Sequence, residues 1–231
     1  MIKAVLIDVD DTLLSFSGYV KQTMKEGFEH FGLAEYDDSM YLVFQKINTV
    51  LWHQIEQGTL TFEELLKIRW NRIFRELNID FDGGVFELYF REKLYDSAIL
   101  EPGAKDLLEY LSKKYILCAA SNGPFNQQVN RLKVGKLYPY FHDLFISEKV
   151  GAQKPSKEFF DHCIRCIREK SETDLLPEEI MMIGDSATAD IVGGKQYGFR
   201  TCLYTGSKES TQAIAEADHT VHSLLEIQQI L

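Results

Sequence analysis

The chain begins with a short apolar run, Ala4-Val5-Leu6-Ile7, which is followed at once by Asp8-Val9-Asp10-Asp11-Thr12-Leu13. An apolar run of this kind is typical of a strand that is buried on both faces of a parallel sheet. Side chains alternate along an extended chain, so we expect Asp8 and Asp10 to face one point beyond the strand and Asp11 to turn aside. Two close carboxylates stay ionised at low cost only with a cation between them, and their oxygen ligands favour Mg²⁺. The alternative is a polar turn that merely ends the strand.

Length and charge exclude several classes of protein. The 231 residues fit one large domain, or one domain that carries an insertion. A net charge of -10 argues against binding to nucleic acid or to an anionic membrane, but it allows a small phosphorylated substrate if a metal and local cations offset the field. No apolar run approaches the roughly 20 residues of a membrane span, and the N-terminal run is too short for a signal peptide. We therefore expect a cytoplasmic protein.

The cysteines are expected to be reduced thiols. Cys163 and Cys166 lie in an amphipathic helical pattern, and Cys118 and Cys202 lie in apolar strand candidates. Packing is therefore favoured over redox chemistry or zinc binding at these positions.

The segment from Ser15 to Ser97 has helical spacing and no strand candidate of comparable quality. Thr61-Phe62-Glu63-Glu64 is a capping-box pattern that predicts the start of a helix. Gly83-Gly84 predicts a break before a fourth helical segment, Val85 to Tyr95. The segment is predicted to be an all-helical insertion.

From Glu101 onward, strand and helix patterns alternate along the chain. The predicted strands are Tyr115 to Ala120, Asp143 to Ile146 and Ile180 to Ile183, with weaker ones at Arg200 to Tyr204 and Thr220-Val221. This alternation predicts an α/β fold with a doubly wound parallel sheet, in which ligands bind beyond the carboxyl ends of the strands. Polar and charged side chains that could take part in a reaction lie at the carboxyl ends of the predicted strands, or on a loop that follows a strand: Asp8, Asp10, Ser121, Lys154 and Asp185. Their coincidence predicts an active site.

The residue types suit hydrolysis of a phosphate monoester, a reaction that depends on positioning and charge neutralisation. Asp8 would be the nucleophile and form an aspartyl-phosphate, and Asp10 would protonate the leaving oxygen and later take a proton from water. Asp8 and Asp185 would hold Mg²⁺, with the backbone carbonyl of Asp10 as a further ligand.

Groups that could bind the phosphoryl oxygens lie on three loops. Ser121 would supply a hydroxyl and Lys154 a positive charge. The side chain of Asn122 and the N–H groups of the Asp11-Thr12 and Asn122-Gly123 turns could donate as well.

In these residues the sequence resembles the haloacid dehalogenase-like (HAD) superfamily, whose hydrolases carry four short motifs in a fixed order along the chain. Asp8-x-Asp10-x-Thr12 matches the first motif, Ser121 the second and Lys154-Pro155 the third. Gly184-Asp185-Ser186-x-x-x-Asp190 matches the fourth. The resemblance implies that Asp190 orients the metal's ligands or waters without binding the metal itself.

The fold implied by the resemblance is a Rossmann-like core with a helical cap inserted after the first motif. We expect the core to comprise residues 1–14 and 98–231 and the cap residues 15–97. Substrate specificity is expected in the cap. Arg69 and Arg72 lie there and could reach a base or sugar, but their spacing of three positions is also typical of a solvated helix face on which each pairs with Glu.

Within the superfamily, Asp10 favours phosphoryl transfer, because the dehalogenases that displace halide do not resemble this chain at that position and need no Mg²⁺. The Ser121-Asn122-Gly123 loop and the helical cap resemble the nucleotidase branch, which acts on nucleoside 5′-monophosphates, often pyrimidine ones. Similar chains dephosphorylate sugar phosphates, phosphoglycolate or flavin mononucleotide, and phosphomutases share the motifs. A non-catalytic sensor of a phosphorylated ligand is a further alternative, and the complete set of acidic residues with Lys154 argues against it.

Overall fold

The computed structural model describes residues 1–171, 174–206 and 217–231. The chain divides into two compact units, one formed by Met1–Ser15 with Ala98–Leu231 and the other by Phe16–Ser97. The sequence placed the first boundary after residue 14, and the role of the second unit as a cap stays a prediction. Within the described ranges, no helix combines the length and the apolar character that crossing a membrane requires.

The first unit contains a parallel sheet whose described strands run in the order β3-β2-β1-β4-β5-β6. The strands are β1 (Ala4–Ile7), β2 (Ile116–Ser121), β3 (Asp143–Ile146), β4 (Ile180–Gly184), β5 (Arg200–Tyr204) and β6 (His219–Val221). Ile7 at the end of β1 pairs with Ala119 on one side and Ile183 on the other. The connections turn outward in opposite directions from β1, which creates the kind of crevice where doubly wound folds bind ligands. The predicted fold class is confirmed.

Helices account for most of the remaining described chain. They are α1 (Phe16–His30), α2 (Asp38–Glu56), α3 (Phe62–Glu76), α4 (Gly83–Tyr95), α5 (Ala104–Ser112), α6 (Phe125–Val134), α7 (Ser147–Val150), α8 (Lys157–Ser171) and α9 (Gly193–Tyr197). A π-helical turn spans Ala187–Val192, and short 3-10 helices span Tyr138–Tyr140, Pro177–Glu179 and Leu224–Gln229.

The alternation of side chains along β1 divides the core of the first unit into two layers. Val5 and Ile7 pack on one face of the sheet with the leucines of α5. Ala4 and Leu6 pack on the other face with the aromatic side of α8, a layer that also includes Cys163. All four cysteines lie in the described ranges and are free thiols. A strand buried on both faces in this way holds the chain rigidly up to the point where Asp8 begins.

The second unit contains α1 to α4 around a core rich in aromatic rings. The Thr61 side chain accepts the N–H of Glu64, and Glu64 accepts the N–H of Thr61, so the predicted capping box begins α3. The fourth helical segment ends at Tyr95 as predicted, but the glycine pair lies inside it, because α4 begins at Gly83 with Asp82 as its N-cap. The glycine serves packing instead, since a Cβ at Gly83 would lie 2.3 Å from the backbone nitrogen of Asn71 on α3.

Arg69 does not lie on a solvated face as its spacing suggested. It is buried in the second unit, where Nη2 lies 2.6 Å from Oε1 of Glu87 and Nε lies 3.1 Å from Oε2. This two-point pairing satisfies both charges away from water. The pairing with a Glu is as expected, and only the solvated face is wrong, because the partner is 18 positions away on another helix.

Candidate active site

Asp8 extends the backbone pattern of the central strand by one residue. Its N–H donates to the carbonyl of Ile183 at 2.9 Å, so the sheet fixes the direction of its side chain. Three residues later, Asp11 has a positive φ of 54° and donates its N–H to the carbonyl of Leu14 at 2.7 Å. The chain thus turns sharply after the strand. The Asp11 N–H, predicted as a phosphate donor, is occupied by this turn in the structure.

Lys154 joins the loop after α7 to the end of β1. Its Nζ lies 2.7 Å from Oδ1 of Asp8, 2.7 Å from Oδ1 of Asp190 and 2.7 Å from the carbonyl oxygen of Ala120. An ammonium group has three N–H donors, and these contacts use all of them. Lys154 therefore neutralises two buried carboxylates in this structure, and its contact with a phosphoryl oxygen stays a prediction.

Three carboxylates form a compact group at this edge of the sheet. One oxygen from each of Asp8, Asp185 and Asp190 can be chosen so that all lie within 4.8 Å of one another. Asp185 follows the last residue of β4, and Asp190 lies in the π-helical turn that Ser186 caps. The Asp190 carboxylate also accepts the N–H of Ser186 at 3.1 Å. Hard oxygen ligands at such spacing suit Mg²⁺.

Gly184 makes the approach of Asp190 possible. A Cβ at this position would lie 2.1 Å from Oδ2 of Asp190. The backbone needs no special φ at Gly184, so the requirement is for space alone. The glycine of the fourth motif thus has a direct steric role in bringing the third carboxylate to the group.

Burial and mutual interaction shift the pKa values of the charged groups in this cluster. Burial raises the pKa of Asp8 to about 7, with the Asp190 charge acting in the same direction and Lys154 opposing both. Burial also raises the pKa of Asp190, again against Lys154. The two carboxylates raise the pKa of Lys154 above its usual value in spite of its burial. Lys154 is thus held as a cation, but its charge does not fully offset the free energy needed to ionise the two buried carboxylates.

The charges of the cluster fit a divalent cation. Four carboxylates, those of Asp8, Asp10, Asp185 and Asp190, share the cluster with the cations of Lys154 and Arg131. Fully ionised, they leave an excess of two negative charges. A divalent ion at the three-carboxylate group would balance this excess and favour the ionised form of Asp8.

Asn122 is fixed to the Lys154 loop through both ends of its amide. Its Nδ2 donates to the carbonyl of Lys154 at 2.9 Å, and its Oδ1 accepts the N–H of Lys154 at 2.9 Å. The side chain therefore holds the loop that carries the lysine. This pairing uses one of the two N–H donors of Nδ2, and the predicted contact of Asn122 with phosphate stays a prediction.

Thr12 and Ser121 bring hydroxyl groups to the same region. Thr12 is fully buried, and its Oγ1 has no hydrogen-bond partner among the described residues. Ser121 ends β2, and its Oγ accepts the N–H of Gly123 at 3.1 Å. A buried hydroxyl without a partner is uncommon in proteins, and the predicted contact of Thr12 with phosphate would use this one.

Two residues at the site were missed by the sequence analysis. Gln128 and Arg131 lie on α6, are fully buried, and both donate to the carboxylate of Asp10. Nε2 of Gln128 lies 2.6 Å from Oδ2 of Asp10 and 2.7 Å from Oγ of Ser121. Their spacing of three positions on a helix that follows the Ser121 loop was the available signal. From sequence alone, this spacing looks the same as a polar helix face in water.

Comparison with known proteins identifies relatives over most of the chain. The family model described as haloacid dehalogenase-like hydrolase matches residues 2–198. The HAD-hydrolase YfnB of Bacillus subtilis is 34% identical over 87% of this chain and 83% of its own length. A crystal structure of YfnB bound to magnesium superposes with a TM-score of 0.89 at 31% identity, covering 100% of this chain and 98% of that one.

Two further relatives have names that state an activity. The pyrimidine 5′-nucleotidase PynA of Streptococcus pneumoniae is 32% identical over 96% of this chain and 91% of its own length. The pyrimidine 5′-nucleotidase YjjG of Escherichia coli is 28% identical over 98% and 96% respectively.

Proposed function

Because the chain belongs to the haloacid dehalogenase-like hydrolase family, we propose that it is a Mg²⁺-dependent phosphatase that hydrolyses a small phosphate monoester through an aspartyl-phosphate on Asp8. The observation that carries this proposal is the buried cluster in which Lys154 bridges Asp8 and Asp190 beside Asp185. A nucleoside 5′-monophosphate is the proposed substrate. Two relatives named as pyrimidine 5′-nucleotidases support that choice.

Asp8 is the proposed nucleophile. A carboxylate oxygen attacks phosphorus, a bond forms between Asp8 and the phosphoryl group, and the bond to the ester oxygen breaks. Lys154 holds one Asp8 oxygen in place at 2.7 Å, so the carboxylate does not need to be oriented during the reaction. The burial of Asp8, which raises its pKa, also keeps its ionised form weakly solvated by water.

Asp10 is the proposed acid and base. It gives a proton to the leaving oxygen in the first step, and in the second it takes a proton from the water that attacks phosphorus. The second step releases inorganic phosphate and restores the Asp8 carboxylate. Both Asp10 oxygens are engaged by α6, one by Gln128 and the other by Arg131.

Asp8 and Asp185 would hold the Mg²⁺ ion, with the backbone carbonyl of Asp10 as a further ligand. The ion would supply positive charge to the phosphoryl oxygens and to the carboxylates. Asp190 would orient this group through Lys154 and the Ser186 N–H rather than enter the reaction. Ser121 and Thr12 would donate to the phosphoryl oxygens.

A panel of phosphorylated metabolites tests the proposal. The panel should include uridine and thymidine 5′-monophosphates, sugar phosphates and phosphoglycolate, each assayed for phosphate release with Mg²⁺ and with a chelator. Hydrolysis that needs Mg²⁺ and ranks a nucleotide first in kcat/KM would support it. Transfer of phosphate between positions of a sugar, without release to water, would support a phosphomutase instead. Asp10→Asn should lower kcat by about 10²- to 10⁴-fold.

A further inference from the structure

Gln128 connects two groups that the proposed reaction uses separately. Its Nε2 lies 2.6 Å from Oδ2 of Asp10, the proposed acid and base, and 2.7 Å from Oγ of Ser121, a proposed phosphate donor. Asp10 lies on the loop that follows β1, and Ser121 is the last residue of β2. One amide group on α6 therefore holds both.

Arg131 determines which way the Gln128 amide points. A guanidinium group can only donate hydrogen bonds, so the atom that faces Nη1 of Arg131 at 3.0 Å must be the carbonyl oxygen Oε1. The NH₂ group of Gln128 must then face Asp10 and Ser121. The same Nη1 of Arg131 also donates to the other carboxylate oxygen of Asp10. The directions of all these hydrogen bonds are fixed by one charged residue.

The orientation of the Gln128 amide determines which hydrogen bonds the Ser121 hydroxyl can make. Its Oγ accepts the N–H of Gly123 at 3.1 Å and an N–H of Gln128 at 2.7 Å, which together use the two lone pairs of a hydroxyl oxygen. Among the described residues no acceptor binds the hydroxyl hydrogen of Ser121. The hydroxyl is thus set to donate, which is the role that an anionic phosphoryl oxygen requires.

The arrangement is rigid because it is closely packed. Gln128 is fully buried, as is Arg131, and reorienting either side chain would leave a buried polar group unpaired. A Cβ at Gly123 would lie 2.6 Å from Nε2 of Gln128, so the loop has no spare room beside the amide.

We propose that Gln128 is a positioning residue that aligns the Asp10 carboxylate and sets Ser121 as a hydrogen-bond donor, with Arg131 fixing the direction of the amide. The inference rests on the proposed phosphatase function. It adds that helix α6, which carries no nucleophile and no metal ligand, determines the geometry of proton transfer to the leaving group.

The decisive variant is Gln128→Glu, which keeps the shape of the side chain and replaces the donor with an acceptor. Uridine 5′-monophosphate has an alkoxide leaving group that needs a proton, whereas p-nitrophenyl phosphate has a leaving group that departs without one. The value of kcat/KM reports steps up to departure of the leaving group. Loss of the Ser121 donor would affect both esters alike, and loss of Asp10 alignment would affect only the nucleotide.

We expect Gln128→Glu to lower kcat/KM for uridine 5′-monophosphate at least about tenfold more than for p-nitrophenyl phosphate, since a positioned acid contributes about 10²- to 10⁴-fold. Misfolding or loosened packing would reduce kcat/KM for both esters equally. If the losses for the two esters differ by less than about tenfold, the proposal is overturned. If Gln128→Glu does not fold, Gln128→Met is judged by the same ratio. The matched control is Gln127→Glu, the same change one position earlier on α6, which should leave both values unchanged.

A second measurement separates positioning from a purely structural role. In an Asp10→Asn background, Gln128→Glu should cause no further difference between the two esters, because the group that it aligns is already disabled. A further tenfold difference would contradict the assignment to Asp10. If wild-type protein hydrolyses neither ester, the proposed function itself fails. The positioning proposal fails if the wild type is active and either the ratio does not move or the further tenfold difference appears in the Asp10→Asn background.

Discussion

Nζ of Lys154 lies 2.7 Å from Oδ1 of Asp8, although the two residues are 146 positions apart in the chain. The contact joins the third motif to the first across β1 and β2. Asp190 accepts from the same ammonium at 2.7 Å, so one cation compensates two buried carboxylates. The stability of the core and the orientation and charge of the Asp8 carboxylate therefore depend on the same side chain.

Replacing Lys154 tests this dependence. Lys154→Met should lower the free energy of unfolding by about 3 to 5 kcal/mol, because two buried carboxylates lose their counter-ion. The measurement is urea unfolding in the presence of a chelator. Lys157→Met is the control: Lys157 is an exposed residue paired with Asp161 on α8, and the change should cost at most about 0.5 kcal/mol. A loss for Lys154→Met no larger than for the control would show that the buried pair contributes nothing to folding.

The loss of unfolding free energy caused by Lys154→Met should depend on pH. Burial raises the pKa of Asp8 to about 7, so in the folded state this group holds a proton to higher pH than it does in the unfolded chain. Its contribution to stability is complete below about pH 4 and falls as the pH rises through about 7. Without Lys154 the ionised form becomes costlier. The loss of stability in Lys154→Met should therefore be larger at pH 8 than at pH 5, and an equal loss at both would contradict the explanation.

Gly184→Ala tests the steric requirement at the acidic group. The added Cβ would lie 2.1 Å from Oδ2 of Asp190, so the Asp190 carboxylate must leave its present position. We expect a loss of stability of about 1 to 3 kcal/mol from overpacking, together with a fall in activity. Gly194→Ala is a milder change in the same unit, since its Cβ would lie 3.2 Å from the Cβ of Met182. Gly184→Ala with wild-type activity would show that Asp190 is not needed in its present position.

Mg²⁺ should stabilise the protein independently of any turnover. At about ten times the Kd, a ligand that binds only the folded state adds about 1.4 kcal/mol, which raises Tm by about 3 to 6 °C for a chain of this size. Differential scanning calorimetry with and without Mg²⁺ measures the shift. Asp185→Asn should abolish it, and Asp106→Asn, an exposed change on α5, should retain it. A shift that survives Asp185→Asn would place the ion elsewhere.

Asn122→Asp separates loop positioning from phosphate binding. The change places a carboxylate oxygen against the carbonyl of Lys154, where Nδ2 now donates at 2.9 Å. We expect a loss of about 1 to 3 kcal/mol in stability and a lower kcat through displacement of Lys154. Asn126→Asp, at an exposed position on α6, is the matched control. A rise in KM with unchanged stability would instead assign Asn122 to the substrate.

The part of this site that could be predicted is the part that is local in sequence. Asp8 and Asp10 follow a buried strand, and the alternation of an extended chain already indicates where each side chain points. Gly184 and Asp185 end β4 in the same way. These positions need no knowledge of distant neighbours, because the carboxyl ends of parallel strands meet at one edge.

Other contacts depended on packing that the pattern of one helix does not reveal. Gln128 and Arg131 look like solvated residues until α6 is placed beside Asp10, 118 and 121 positions away. Arg69 likewise needed Glu87 on a neighbouring helix. The pairing of Asn122 with the Lys154 backbone is likewise visible only once the two loops meet.

The most direct test of the mechanism is to look for phosphate on Asp8 itself. Wild-type protein quenched in acid during turnover of uridine 5′-monophosphate with Mg²⁺ and then treated with borohydride should yield a labelled N-terminal peptide, in which reduction of the aspartyl-phosphate has released phosphate and left homoserine at the position of Asp8, as identified by mass spectrometry. The label should be absent with a chelator and in Asp8→Asn. Sustained phosphate release by Asp8→Asn at a rate near that of the wild type, with no labelled peptide in either protein, would contradict the account.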